Sequence, residues 1–331
     1  MSAEAKIDVG SLTVSASPHI RCDESITKIM WSVNGALAPA ALFSVYQFGL
    51  PAITNILICI IAAVATEYLI LKWQDKPMVV SDGSAFLTGL LLAMNIPATV
   101  PWYIPLVGSV AAIGIAKHTM GGLGYNIFNP ALVGRAFLLA SWPILMTTWP
   151  NMASKVDGVT SATPLGILKL QGYDKLVQVF GDKSDMYTNM FLGTRSGSMG
   201  ETSAILLILG GIYLIYRGYI NWQVPVVMIA TVGLLTFAFG GKAGLFTGDP
   251  ILHMMSGGLI LGAFYMATDM VTIPITIKGQ IIFAVGAGAL TVLIRLLGGY
   301  PEGVCYAILL MNCVTPLIDR VVKPVKYGAR R

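Results

Sequence analysis

Ten apolar runs follow one another along the chain, and they restrict the fold more than any other feature. A helix needs about 20 residues to cross a bilayer. With 55% hydrophobic residues, 11% charged residues and a mean hydropathy of +0.74, the chain has less than half the charge of a soluble domain, which is about 25%. We therefore predict an all-α integral membrane protein with about ten transmembrane helices. The runs cover roughly residues 29–49, 51–71, 84–97, 101–117, 131–149, 203–219, 222–240, 250–268, 279–297 and 302–318.

Two of these runs differ from an ordinary transmembrane helix. Run 84–97 is short, and run 250–268 is interrupted by three glycines, Gly257, Gly258 and Gly262. Such segments at corresponding places in two halves indicate discontinuous helices that line a buried site. Five runs lie on each side of the long connection, and an odd number per half gives the halves opposite orientations. We predict two inverted five-helix repeats, in which 89–94 corresponds to 258–263.

The positive charges predict the orientation of the chain. Cytoplasmic loops are enriched in Lys and Arg, and a cytoplasmic amino terminus places most basic turns, including Lys117, on that side. The net charge is +5, and no basic patch with interleaved aromatic residues indicates nucleic-acid binding. Segment 1–28 lacks the apolar region of a cleavable signal. The predicted parts are a cytoplasmic segment 1–28, a first repeat 29–149, an extracytoplasmic loop 150–202, a second repeat 203–319 and a basic cytoplasmic tail 320–331.

The loop 150–202 contains the stretch Val-Asp-Gly-Val-Thr-Ser-Ala-Thr-Pro-Leu-Gly-Ile-Leu at 156–168. Small neighbours leave the hydroxyl of Thr163 open to a large modifying group, and Pro164 predicts a turned, non-helical backbone there. This setting suits a covalent anchor better than a nucleophile. The alternative is an ordinary loop, because clusters of Ser, Thr, Gly, Asp and Pro usually satisfy local backbone groups.

A second polar stretch, Gly-Gly-Leu-Gly-Tyr-Asn-Ile-Phe-Asn-Pro at 121–130, follows the fourth run. Three glycines in four residues indicate irregular backbone that can approach a ring or a phosphate closely. Asn126 and Asn129 add amide donors and acceptors that could contact the polar edge of a ligand. A simple re-entrant turn is the alternative interpretation.

Other polar residues near the runs have ordinary explanations beside functional ones. An acid within a membrane segment indicates function, whereas an acid at the end of a span more often caps a helix; Asp269 is the acid to test first. His118 and His253 have no second ligand at metal spacing, so we predict no metal site and expect both to snorkel to the interface, as we do for Arg295. The acids that flank apolar runs are Asp82, Asp249, Asp269 and Asp319.

Cysteine spacing and the usual catalytic motifs exclude several classes of protein. The four cysteines, Cys22, Cys59, Cys305 and Cys313, lie too far apart for an iron-sulfur run. We read at least three as packing residues. The chain has no Walker loop, no dinucleotide fingerprint and no Ser-His-Asp arrangement, which argues against hydrolysis and direct nicotinamide binding as functions of this chain.

In order and spacing, the motifs of this chain resemble the family formed by the D subunit of the Rnf complex and the B subunit of the sodium-pumping NADH:quinone reductase. Residues Asp157, Thr160, Ala162 and Thr163 match the pattern Asp-x-x-(Ser/Thr)-x-Ala-Thr, at which flavin transferases attach FMN. Ser161 stands where that pattern more often has Gly. Further matching segments are Ser-Pro-His-Ile at 17–20, Asp-Gly at 82–83, Gly-Leu-Gly-Tyr-Asn-Ile-Phe-Asn-Pro-Ala at 122–131, Met-Ala-Thr-Asp at 266–269, Pro-Glu-Gly at 301–303, and Ile-Leu-Leu-Met-Asn with Pro-Leu-Ile-Asp at 308–319.

The resemblance implies a urea-transporter-like fold and a flavoprotein function. FMN would be held by a phosphoester on Thr163, within the motif residues Asp157, Gly158, Thr160, Ser161 and Ala162. A noncovalent riboflavin would lie nearer the cytoplasmic end, where Asn126, Asn129 and Asp269 are the residues expected to contact it.

The same resemblance implies a role inside a larger assembly. The chain would relay electrons in an ion-translocating ferredoxin:NAD oxidoreductase of the bacterial inner membrane that moves Na⁺ or H⁺. It would not be catalytic alone. The implied partners are the A, B, C, E and G subunits, especially G, A and E, together with the lipid bilayer and a flavin transferase during maturation.

Two other functions remain open from the residues themselves. The inverted halves and broken helices are also typical of a flavin-free channel or transporter of the urea-transporter type. A structural scaffold for the complex is the third hypothesis.

Overall fold

The computed structural model describes residues 24–150, 160–161, 163–171, 173, 176, 183–193, 197–201, 203–241, 244–299 and 302–324. Nearly all of the regular structure in these residues is helical. The one exception is a two-residue antiparallel pair, β1 at Trp149–Pro150 and β2 at Thr160–Ser161. The helices are α1 Ile26–Phe48, α2 Leu50–Trp73, α3 Ser84–Met94, α4 Tyr103–Ala111, α5 Pro130–Ser141, α6 Pro143–Thr147, α7 Pro164–Gln171, α8 Lys183–Leu192, α9 Ala204–Tyr216, α10 Gln223–Phe239, α11 Pro250–Met255, α12 Leu259–Leu261, α13 Ile277–Leu297 and α14 Val304–Val321.

Each of the ten apolar runs contains a helix, but the helices differ in length. Four of them, α1, α2, α13 and α14, are long and apolar enough to cross a membrane. The first begins at Ile26 and the last ends at Val321, so both extend beyond the predicted limits of 29 and 319. Ten crossings and the inverted repeat stay predictions.

Local sequence explains where the long helices begin. The hydroxyl of Ser25 accepts a hydrogen bond from the backbone N–H of Lys28 at 3.2 Å and caps α1. Thr276 caps α13 in the same way, accepting from the N–H of Gly279 at 3.1 Å. Side-chain oxygens at this position satisfy backbone donors that have no partner inside the helix.

The third and eighth runs form short, buried helices, in agreement with the prediction of discontinuous segments. Helix α3 has 11 residues, about 16 Å, or half of the hydrocarbon thickness. The eighth run is broken between α11 and α12, and α12 continues as a π-helical turn, Gly262–Met266. A left-handed glycine precedes each buried helix: Gly83 has φ +82° and Gly258 has φ +64°.

These two glycines change the predicted correspondence between the runs. We expected segment 89–94 to match 258–263, which pairs Gly89 with Gly258. Gly89 instead lies inside α3, where an added Cβ would be 2.7 Å from the carbonyl oxygen of Cys59. It allows two helices to approach closely. The glycine that has the conformation and the position of Gly258 is Gly83.

The connection 150–202 is more regular than the sequence predicted. It contains helices α7 and α8. The prediction that Pro164 holds a non-helical turn is wrong, because Pro164 is the first residue of α7. Proline fits this position, since its fixed φ is helical and its missing N–H would have no partner in the first turn.

Several basic residues assigned to the surface are buried. Lys117, counted as a positive-inside charge, is 1% exposed, and His118 and His253 are 6% and 3% exposed. Arg295 does not reach the headgroups: it is 4% exposed and donates to the carbonyl oxygens of His253 at 2.5 Å and Ser256 at 2.7 Å. Burial inside the protein thus replaces the expected exposure to water at all four positions.

The cysteines and the flanking acids divide between packing and capping. Cys59 and Cys305 are buried, as predicted for packing residues, but Cys313 is exposed. Cys22 lies outside the described residues. Asp249 caps α11 by accepting from the N–H of Leu252 at 3.1 Å, and Asp319 accepts from the N–H of Ile275 at 3.1 Å.

Candidate functional site

A cavity lies among α1, α3, α5, α9 and the eighth run. Its walls are mainly apolar, with a few polar side chains. Two π-helical segments, Ala112–His118 after α4 and Gly262–Met266 after α12, both contribute wall residues. Such segments occur frequently at functional sites.

Asn126, Asn129 and Asp269 all line this cavity. They are the three residues predicted to contact riboflavin, and they come from parts of the sequence about 140 residues apart. The structure therefore brings them together at one site.

The two asparagines differ in how much of their hydrogen-bonding capacity is already used. Asn129 caps α5, since its Oδ1 accepts from the N–H of Ala131 at 3.1 Å, and its Nδ2 donates to the carbonyl oxygen of Met266 at 3.3 Å. Asn126 is 4% exposed and donates to the carbonyl oxygen of Phe128 at 3.1 Å. Its Oδ1 has no partner within the described part of the chain. A buried polar atom without a partner is costly, and a ligand donor in the cavity would satisfy it.

Asp269 lies in the turn after the second π-helical segment. Its carboxylate accepts from the N–H of Val271 at 3.4 Å and from the hydroxyl of Thr272 at 3.5 Å. Desolvation raises the pKa of Asp269 to about 6, against which these two hydrogen bonds act weakly. The carboxyl is thus a wall group that changes charge near neutral pH.

Lys117 brings a positive charge to the same wall. Its Nζ lies 2.5 Å from Oε1 of Glu67 and 2.6 Å from Oγ of Ser84. Ser84 in turn donates to Oδ1 of Asp82 at 2.7 Å. Nε2 of His118 lies 3.5 Å from the same Glu67 oxygen. A charge in a membrane segment is held only by such pairing.

Two buried charges, Glu67 and Arg135, were not singled out from the sequence. Arg135 forms a second buried pair with Glu302, which entered only within the matching segment 301–303. The guanidinium of Arg135 pairs with the Glu302 carboxylate and donates to Oδ1 of Asn95 at 2.7 Å. A signal was present for both pairs: Glu67 stands inside the apolar run 51–71, and Arg135 stands inside the run 131–149. Charged residues in such runs indicate buried partners.

Thr163 lies away from the cavity, at the beginning of α7. It is 4% exposed, and its Oγ1 accepts from the backbone N–H of Gly166 at 3.1 Å. This is the geometry of a helix N-cap. The prediction that its hydroxyl is open to a large group does not hold for this conformation, because a flavin on this oxygen requires the residues that cover it to move.

Helix α7 is attached to the end of α13. The ammonium of Lys169 donates to the carbonyl oxygen of Arg295 at 3.0 Å and also to that of Gly298. Leu165 is buried beside Gly257. The last turn of α7 is therefore held at the carboxyl end of α13, and its first turn, next to Thr163, lies beside Gly257.

The other motif residues are less fully described. Thr160 and Ser161 form β2 and pair with Trp149–Pro150. Asp157, Gly158 and Ala162 lie outside the described residues. Within the described ranges, no group of three or more His, Cys, Asp or Glu side chains could hold a metal ion.

Comparison with known proteins assigns the chain to a family. The family model for NQR2, RnfD and RnfE matches residues 13–328. The chain is 67% identical to the D subunit of a proton-translocating ferredoxin:NAD(+) oxidoreductase complex from Clostridium ljungdahlii, over 99% of this chain and 100% of the relative. It is 48% identical to the D subunit of a Na(+)-translocating complex of the same type from Acetobacterium woodii, over 97% and 96%. It is 40% identical to the D subunit of an ion-translocating oxidoreductase complex from Stutzerimonas stutzeri, over 92% of each chain. The chain belongs to the NQR2, RnfD, RnfE family.

Proposed function

We propose that this chain is the D subunit of an ion-translocating ferredoxin:NAD oxidoreductase complex and relays electrons across the membrane through two flavins. FMN is bound covalently to Thr163, and riboflavin is bound noncovalently in the cavity. The A, B, C, E and G subunits supply the remaining redox centres, and the complex couples electron transfer to the transport of Na⁺ or H⁺. The similarity to D subunits of such complexes, over nearly the whole chain, supports this assignment.

The observation that carries the redox proposal is the position of residues from the two candidate sites relative to α13. Asp269 precedes this helix, and α7 with Thr163 is attached to its far end through Lys169. Helix α13 has 21 residues, which corresponds to about 30 Å and to the thickness of the hydrocarbon core. One flavin at each end would give electrons an entry and an exit on opposite faces.

The position of Thr163 supports an attached phosphate. A helix amino terminus offers free N–H groups and a partial positive charge to an anion. The Oγ1 atom of Thr163 already accepts from Gly166, and an ester oxygen at this position would keep an acceptor lone pair. The motif around Thr163 adds the signal on which a flavin transferase would act.

The cavity supports a noncovalent flavin for a different reason. An isoalloxazine ring combines apolar faces with a polar edge, and the cavity combines apolar walls with Asn126, Lys117 and Asp269. The unpartnered Oδ1 of Asn126 fits a ring N–H donor. A bound flavin supplies the redox chemistry, and the protein supplies its position and electrostatics.

We further propose the orientation that the positive charges predicted. Both termini face the cytoplasm, the cavity opens near the cytoplasmic side of the inner membrane, and Thr163 lies on the extracytoplasmic side. Because Lys117 is buried and paired, it no longer counts among the loop charges behind this orientation. The others, among them Lys72, Arg217 and Lys278, are on or beside short connections between helices and still support it.

The test is flavin fluorescence of the denatured chain, expressed in a host with flavin transferase. We expect a fluorescent band for the wild type and for Thr148→Ala, a control threonine outside the motif, and no fluorescence for Thr163→Ala. Acid extraction of the native chain should release riboflavin from all three variants. A dark wild-type band would refute covalent attachment, and a chain that also releases no riboflavin would favour the flavin-free transporter.

A further inference from the structure

We infer that Lys117 is the charged hydrogen-bond donor to the ligand of the cavity, and that it raises the reduction potential of a flavin bound there. This inference rests on the proposed function, since it concerns the noncovalent flavin of the same site. Its experiment separates the absence of that flavin from a failure of the inference.

Lys117 has more donors than its protein partners use. An ammonium group carries three N–H bonds and no acceptor. Two of them are used, by Glu67 at 2.5 Å and Ser84 at 2.6 Å. Lys117 is 1% exposed, so bulk water does not accept a hydrogen bond from the third N–H. Lys117 lies in the cavity wall, and an acceptor on the bound ligand would be the natural partner of the third N–H.

The ammonium of Lys117 is also firmly held. Asp82 fixes Ser84 through bonds to both its hydroxyl, at 2.7 Å, and its backbone N–H, at 2.8 Å. Glu67 is 4% exposed and lies on α2, a different helix from Lys117. Two anchors from separate elements prevent the side chain from turning away. The charge is therefore preorganised at the wall, and a ligand does not have to reorganise it.

The charge of the ligand changes on reduction. Two electrons and one proton taken up by a neutral flavin leave one negative charge on the ring, and the electrons come from a reduced redox centre or from dithionite in an assay. A positive group near the ring favours this reduced form over the oxidised one. Glu67 weakens the field of Lys117 at long range but does not cancel it at hydrogen-bond distance. The result is a higher potential than the same cavity would give without the ammonium.

Asp269 is the carboxyl group in the cavity wall, and its charge has the opposite sign to that of Lys117. The cavity thus contains one anchored cation and one carboxyl. The ammonium of Lys117 is held by side chains from other parts of the chain, whereas Asp269 is held by backbone and hydroxyl contacts within its own turn. We therefore assign the tuning of the potential to Lys117.

The experiment is a spectroelectrochemical titration of the full chain, purified in detergent, in a Thr163→Ala background so that the noncovalent flavin gives the signal. Lys117→Met removes the charge, Lys117→Arg keeps it, and Lys72→Met removes an exposed lysine at the end of α2. We expect Lys117→Met to lower the ratio of reduced to oxidised flavin at a given potential at least tenfold, about 30 mV for a two-electron couple. Lys117→Arg should recover most of this shift, and Lys72→Met should match the parent.

Riboflavin content, measured after acid extraction, separates the outcomes. If every variant retains riboflavin and all potentials agree, the inference is wrong while the noncovalent flavin stands. If the parent releases no riboflavin, both are wrong. If only Lys117→Met loses riboflavin, the flavin is added back to this variant. The inference then requires that the affinity for reduced flavin, relative to that for oxidised flavin, be at least tenfold lower than in the parent. An unchanged ratio would show that Lys117 serves only to hold the fold.

Discussion

The pair formed by Arg135 and Glu302 gives the sharpest prediction about stability. Arg135 lies on α5 in the first half of the chain, and Glu302 precedes α14 in the second half, 167 positions later. Their side chains are 9% and 11% exposed. Arg135 pairs with Oε2 of Glu302, and Oε1 has no hydrogen-bond partner in the described part of the chain. Arg135 therefore supplies the hydrogen bonding that the structure shows for this carboxylate.

We expect Arg135→Met to destabilise the chain by about 3–5 kcal/mol, because it leaves an uncompensated carboxylate in an apolar interior. Glu302→Gln should destabilise the chain by a similar amount, because it leaves a buried guanidinium without its counter-charge. The double variant should cost much less than the sum of the two, since replacing both partners removes both buried charges. The coupling free energy should be at least about 2 kcal/mol, within the range seen for residues in one network.

The assay is reversible unfolding of the purified chain in mixed micelles, followed for the wild type, both single variants and the double variant. Arg320→Met is the control, since Arg320 is exposed in the last turn of α14, and it should change the free energy of unfolding by less than about 0.5 kcal/mol. Additive effects of the two single changes would refute the reasoning, because they would mean that the two charges do not depend on each other. A loss confined to Arg135→Met would show that Arg135 acts through Asn95 instead.

Two further predictions concern a titrating carboxyl and a glycine in the left-handed conformation. The pKa of Asp269 is about 6 in the folded chain against 3.8 as its ordinary value, so the folded state binds the proton more tightly, and stability falls as pH rises from about 4 to 6. Asp269→Asn should therefore stabilise the chain at pH 7.5 by roughly 3 kcal/mol and by roughly half of that at pH 5; thermal unfolding at the two pH values tests this, and an equal gain at both would contradict it. Gly258→Ala should destabilise by about 1–2 kcal/mol, because φ at this position is +64° and a left-handed conformation is costly with a Cβ. Gly35→Ala is its control, since Gly35 lies in α1 with no atom within 4 Å of an added Cβ. This variant should be stabilised by up to about 1 kcal/mol through the higher helix propensity of alanine. Similar melting temperatures for the two variants would refute the expectation.

The burial of Thr163 has a consequence for maturation. The hydroxyl is nearly inaccessible in this conformation, and a transferase needs to reach it. If FMN is attached there, the attachment precedes the docking of α7 or opens it. The contacts that hold α7, those of Lys169 and Leu165, are then the ones that this opening breaks.

Hydropathy predicted the long helices of this chain, and the positions of glycines predicted the broken ones. The helix at 164–171 was missed because Ser, Thr, Gly and Pro near Thr163 are typical of a loop. Proline opens a helix as readily as it ends one, and the choice depends on whether the following apolar residues find a surface to bury. Leu165 and Ile167 do find one, which local sequence does not reveal.

Composition and local pattern were enough to establish that the chain is built from apolar helices, that the third run is short and that the eighth run is interrupted. They also selected Thr163, Asn126, Asn129 and Asp269 as motif residues, because such signals are contained within a few turns of helix. Only the packing of the helices determined which polar groups lie together. Lys117 pairs with Glu67, Arg135 pairs with Glu302, and the two asparagines line one cavity with Asp269. The physical reason is that lipid is as apolar as a helix interface, so hydropathy shows that a segment is withdrawn from water but not which of its faces meets another helix.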